Sequence, residues 1–159
     1  MNAKRIISAV ALMVSAASVA AAQTANQVVT FQVDAINQIA FSGSPSLTIN
    51  TATAGSNPTA ATAAASWAVT TNQTGAKITA SIGSNMGAGL NLSVDLSAPA
   101  GGTSAGVQAL STTAVDLVTG ITKLAQSALG VTYSLDATAA AGVVASSSRT
   151  VTYTITGGV

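Results

Sequence analysis

Apolar and polar side chains alternate along most of the chain, as in strands that bury one side and expose the other. The longest alternating run covers residues 29–41 and is interrupted at Asn37 by a polar residue. Shorter runs of the same kind occupy residues 47–49, 67–70, 78–82, 90–96, 131–135 and 150–156. This period of two predicts an all-β protein.

Turn-forming residues separate these runs. Gly, Pro, Asn and Ser concentrate at residues 42–45, 72–75, 83–89 and 99–104. Such residues favour tight reversals of the chain. Short strands divided at these intervals predict a single antiparallel β-sandwich, either immunoglobulin-like or of the jelly-roll kind.

Two segments have a less regular pattern. In residues 51–65, Asn57 and Pro58 are suited to cap a short helix, but the Ala- and Thr-rich composition equally fits a loop. For residues 112–129, we predict a strand through Val115, Leu117 and Ile121, followed by a loop over 123–129.

The first 22 residues have the pattern of a cleaved secretory signal peptide. Lys4 and Arg5 precede an uncharged apolar stretch, and the small residues 20–22 suit a signal peptidase. We therefore expect a secreted chain, extracellular or at the cell surface, with one domain over residues 23–159. No later apolar stretch is long enough for a membrane span.

Signal cleavage leaves few charges. Lys77, Lys123 and Arg149 stand against four Asp residues, a net charge of −1. Three scattered cations form no basic patch, so we expect no nucleic-acid partner.

The chain contains no His, Cys or Glu. The usual general base at neutral pH and the common thiol and imidazole metal ligands are therefore missing. We expect no enzymatic activity, no cofactor and no metal site. Asp95 and Asp136 are predicted to be solvated surface acids, and a Ca²⁺ site at Asp34 or Asp116 is the open alternative.

The apolar run after the predicted cleavage site has two interpretations. Val29, Phe31, Val33 and Ala35 either belong to the first strand of their own sheet or enter a neighbouring copy as an added strand. On the second interpretation, residues 23–41 are a donor strand between subunits, and the partner is another copy of the same chain.

The signal pattern, this N-terminal run, the Ala-, Thr-, Gly- and Ser-rich body and the closing run 150–156 resemble bacterial fimbrial and other secreted filament subunits with immunoglobulin-like folds. The resemblance covers the mature chain in composition and pattern. It implies a structural subunit that polymerises by strand donation. The absence of the Cys pair found in many fimbrial subunits departs from that pattern.

Two other binding roles fit the pattern. A secreted adhesin or binding module would recognise a host or matrix ligand, although all five aromatic side chains of the mature chain are predicted to face the core. Thr150, Thr152, Thr154 and Thr156 form either a regular array of the ice-binding kind or an ordinary solvent-facing strand side.

Overall fold

The computed structural model describes residues 21–158, in which nine strands form two antiparallel sheets. The chain divides into two units, residues 1–32 and 33–159. In the first unit, residues 21–32 have no regular secondary structure. The predicted signal segment lies outside the described residues except for Ala21 and Ala22.

The second unit contains all nine strands. They are β1 (Asn37–Ser42), β2 (Ala61–Thr71), β3 (Ala76–Ile82), β4 (Leu90–Leu96), β5 (Thr103–Ser104), β6 (Gln108–Ala109), β7 (Val115–Ile121), β8 (Leu124–Ala137) and β9 (Val151–Thr156). One sheet has the order β1-β2-β8-β4-β6 and the other β5-β7-β3-β9. The predicted antiparallel β-sandwich is therefore confirmed.

The core lies between the two sheets and consists mainly of aliphatic side chains. Strand β3 buries every second residue, as its alternating sequence predicts. The largest fully buried side chains are Trp67, Val69, Ile78, Val94, Leu96, Leu117, Val118, Ile121 and Val131. These residues come from β2, β3, β4, β7 and β8, so both sheets contribute.

Asn37 interrupts the apolar pattern because it makes polar contacts at the start of β1. Its amide nitrogen donates to Oε1 of Gln73 at 2.9 Å, and its amide oxygen accepts from Oγ1 of Thr71 at 2.7 Å. Thr71 is itself buried. These hydrogen bonds satisfy the polar side chains of Asn37 and of the buried Thr71.

The predicted loop over residues 123–129 is wrong beyond Lys123, because residues 124–129 belong to β8. Trp67 of β2 pairs with Leu129, but Val69 pairs with Gln126, so β8 carries one extra residue at this point. Ala128 has a positive φ of 57° there. This bulge changes which alternate residues face inward, and it hides the period of two from the sequence.

The segment 51–65 forms neither a capped helix nor one continuous loop. Ala52 and Pro58 form an isolated bridge, and β2 begins at Ala61. The Ala-rich residues 61–65 are strand because they pair with residues 131–135 of β8. Pairing decides their structure, since alanine has little preference for strands.

Candidate functional site

The acidic residues singled out in the sequence are not brought together. Asp116 makes an ion pair with Lys77 at 3.0 Å, and both side chains are about half exposed. Asp95 accepts a long hydrogen bond from Ser104 at 3.4 Å, whereas Asp136 is exposed. Residues 21–158 contain no cluster of three or more His, Cys, Asp or Glu side chains that could bind a metal ion. Asp34 and Asp116, the Ca²⁺ candidates, do not share such a group.

The N-terminal apolar residues are exposed to solvent. Val29, Phe31 and Val33 are 73%, 88% and 77% exposed, and Ala35 is exposed as well. Residues 28–33, which we call the donor segment, have no strand assignment. The interpretation as a self-paired first strand therefore holds from Asn37 onward and not for residues 29–36. Core packing was predicted for Phe31 and is wrong.

The chain between the donor segment and β1 is held at the turn that follows β2. The Ile36 N–H donates to Oδ1 of Asn72 at 2.8 Å, and the Asn72 N–H donates to the Ile36 carbonyl at 3.2 Å. The Asn72 side-chain amide also donates to the Asp34 carbonyl at 2.7 Å. Three hydrogen bonds thus fix residues 34–36 beside the end of β2.

A groove of about 1290 Å³ opens within the second unit. One sheet contributes apolar and aromatic residues to the lining, namely Ile39 and Phe41 of β1, Leu90 and Leu92 of β4, and Tyr133 and Leu135 of β8. The other sheet contributes Val151 and Tyr153 of β9. Both sheets therefore supply apolar side chains to the groove.

Three aromatic rings join the two sheets, and two of them, Phe41 and Tyr153, line the groove. Phe41 stacks on Tyr153 with ring centroids 3.8 Å apart, and on Trp67 at 6.1 Å. The hydroxyls of Tyr133 and Tyr153 lie 2.7 Å apart and share a hydrogen bond. Burial, and secondarily this bond, raises the pKa of Tyr153 above its usual range. The remaining aromatic predictions therefore hold, with Phe41 and Tyr153 partly buried.

Two segments without strand structure line part of the groove. Residues 43–50 continue from the end of β1, and residues 143–150 lead into β9. Both segments contribute to the groove lining. In the described chain, no backbone-to-backbone hydrogen bond outside the strands involves either of these flanking segments. Their amides and carbonyls thus have no partner strand.

The first flanking segment has the side-chain alternation of a strand. Leu47 and Ile49 are partly buried, whereas Ser46, Thr48 and Asn50 are exposed. The sequence pattern at 47–49 predicted a strand, and the structure has the alternation without the pairing. In the second segment, Arg149 supplies a positive charge to the groove lining. No sequence pattern indicated that Arg149 or Leu135 would line a groove, because long-range packing creates the groove.

The threonine row lies on the outer side of β9. Thr152, Thr154 and Thr156 are exposed, whereas Thr150 precedes the strand. Across the β3–β9 ladder, Thr154 pairs with Thr79 and Thr152 with Ser81. Thr156 pairs with Lys77, which is charged. The array of neutral hydroxyls is therefore limited to the pairs Thr154–Thr79 and Thr152–Ser81.

No helix in residues 21–158 is long and apolar enough to cross a bilayer. Comparison of the chain with family models, with curated proteins and with solved structures found no match. The exposed apolar residues 28–33 and the groove are the features of the described chain that bear on its function.

Proposed function

We propose that this chain is a secreted structural subunit that assembles with copies of itself into an extracellular, pilus-like filament by donating its N-terminal segment as a β-strand. The observation that carries the proposal is the exposure of Val29, Phe31 and Val33 at alternate positions. Alternate exposed apolar residues are what an added strand uses to anchor in a groove, while its backbone supplies hydrogen bonds.

The energetics favour covering this segment. Fully burying a Val or Phe side chain contributes roughly 1.5–3 kcal/mol relative to leaving it exposed. Val29, Phe31 and Val33 remain mostly exposed within one chain. Association with another copy would recover part of that free energy.

The low charge of the chain also favours assembly. After signal cleavage, three cations and four Asp residues remain among 137 residues. The donor segment itself carries no charged side chain. Copies of the chain therefore repel each other little, and ionic strength should have a small effect on their association.

Electron microscopy of the purified mature chain, residues 23–159, tests the proposal. We expect filaments from this chain and soluble, folded monomers when residues 23–33 are deleted. The deletion should leave the fold intact because it ends before residues 34–36, which are held at Asn72. Filaments of normal length from the deleted chain would contradict strand donation.

The alternative role, a secreted adhesin or binding module, predicts a different result. A monomeric mature chain with one reproducible ligand on a glycan array, or one bound matrix protein, would favour it. Four aromatic side chains are buried or partly buried and offer no exposed stacking platform for a sugar. They are Phe41, Trp67, Tyr133 and Tyr153.

A further inference from the structure

We infer that the groove of the second unit binds one single-chain alkyl carboxylate, with the carboxylate on the Arg149 guanidinium and the alkyl chain along the apolar lining. The inference goes beyond the proposed function, because it assigns a small-molecule ligand and holds whether or not the chain assembles. All lining residues lie between Ile39 and Tyr153, so the site belongs to the second unit alone.

Arg149 gives the groove a single positive charge. Among the described residues, it is the only charged one in the lining, and the other polar side chains there are neutral Ser, Thr, Asn and Tyr. The ion pair of the described chain joins Lys77 to Asp116 and does not include Arg149. A guanidinium cannot be deprotonated in a protein, so this charge persists at every working pH. An anionic group complements it.

The hydrogen bonds of Arg149 indicate which kind of anion fits. Its Nη1 donates to the Ser148 carbonyl at 2.9 Å. Its Nε is buried and has no hydrogen-bond partner among residues 21–158. A buried donor without an acceptor costs free energy, which a bound acceptor would recover. Nε and Nη2 together can donate two parallel hydrogen bonds to one carboxylate.

The rest of the lining suits an alkyl chain. The groove volume of about 1290 Å³ exceeds the roughly 300–1000 Å³ of usual small-molecule pockets, which leaves room for an elongated ligand. The rings of Phe41 and Tyr153 stack on each other at 3.8 Å, so they do not form a platform for a sugar. Aliphatic side chains from three strands complete the lining, namely Leu90, Leu92, Leu135 and Val151.

One cation in an apolar groove therefore selects an amphiphile with one anionic group. A polyanion would need several cations, and an uncharged lipid would leave the Nε of Arg149 without an acceptor. Each methylene that enters the groove should raise the affinity about fourfold, because burying it removes apolar surface from water.

Isothermal titration calorimetry with decanoate and its neutral analogue decan-1-ol tests the inference. The protein is the mature chain, residues 23–159, as monomers isolated by gel filtration, and each ligand is kept below its micelle concentration. We expect one decanoate per chain, with affinity rising from octanoate to dodecanoate. Arg149→Gln should weaken decanoate binding on the order of tenfold and leave decan-1-ol binding unchanged.

Lys123→Gln is the matched control, because it removes a cation that does not line the groove. It should change neither affinity. Arg149 precedes β9 in a segment without strand structure, so Arg149→Gln should leave the sheets folded, and unchanged decan-1-ol binding verifies that. Equal decanoate affinities of the unmodified chain and Arg149→Gln, or no decanoate binding to the unmodified chain, would overturn the inference.

Methyl NMR spectra locate the bound chain independently of the affinities. Saturating decanoate should shift the methyl resonances of Leu90, Leu135 and Val151, which line the groove. The methyl resonances of Leu117, which is buried but does not line the groove, should stay unchanged. Shifts at Leu117 without shifts at the three lining residues would place the ligand elsewhere and overturn the assignment.

Discussion

At the scale of residues, a stack of aromatic rings links the two sheets. Phe41 comes from an edge strand of one sheet and Tyr153 from an edge strand of the other. Their stacking and the Tyr133–Tyr153 hydrogen bond hold the two sheets together here without a disulfide. The stability of this contact should depend on the protonation of Tyr153.

The raised pKa of Tyr153 predicts a loss of stability at high pH. An unfolded tyrosine ionises near pH 10, whereas the folded chain keeps the Tyr153 proton to higher pH. Folded chains therefore bind more protons above pH 10, and the free energy of unfolding falls as the pH rises. Below that range this group has no effect, since it is neutral in both states.

Urea unfolding between pH 8 and pH 11 measures this dependence. Tyr153→Phe should lose stability less steeply than the unmodified chain above pH 10. Tyr133→Phe should retain most of the dependence, because burial is the larger cause of the raised pKa of Tyr153 and the hydrogen bond the smaller. Identical slopes for the unmodified chain and Tyr153→Phe would contradict the assignment.

At the scale of elements, the bulge in β8 explains a failure of prediction from sequence. In the β3–β9 and β4–β8 ladders the register is uninterrupted, and the alternating sequence was sufficient to predict these strands. In β8 the inward positions change between Gln126 and Leu129. The local sequence of β8 does not predict this change of inward-facing positions, because it depends on the pairing with β2.

Ala128 should tolerate a strand-favouring substitution worse than its neighbour Ala125. Both are exposed residues of β8, but Ala128 has a φ of +57°. A left-handed conformation costs L-residues about 1–2 kcal/mol, and β-branched residues suffer most. Ala128→Val should therefore lower the free energy of unfolding by at least ~1 kcal/mol, whereas Ala125→Val should change it little. Equal thermal melting points would refute this account of the bulge.

The two halves of the first apolar run differ because only the second half has a neighbouring strand. Residues 29–35 and 37–41 alternate in the same way, yet β1 begins only at Asn37. The second half has β2 beside it, with Phe41 opposite Trp67. Alternation predicts which side of a strand is apolar, but the neighbouring strand decides whether the strand forms. The groove, and the position of Arg149 in its lining, likewise could not be predicted from the sequence.

At the scale of the whole molecule, the proposed strand donation is a head-to-tail association. Each copy would donate one strand and accept one, so the contact would not close on itself and the product would grow as a fibre. Ordering the donor segment would oppose association, because fixing a backbone costs about 1–2 kcal/mol per residue. New backbone pairing and the burial of Val29, Phe31 and Val33 would offset that cost.

Amide hydrogen exchange of residues 28–33 tests the central claim most directly. The comparison is between the unmodified chain kept monomeric by dilution and assembled unmodified chains, with the exchange read by mass spectrometry. We predict fast exchange in the monomer and strong protection in the assembly, because these amides enter a sheet there. Equally fast exchange of residues 28–33 in assembled and monomeric chains would contradict the claim that this segment joins the copies.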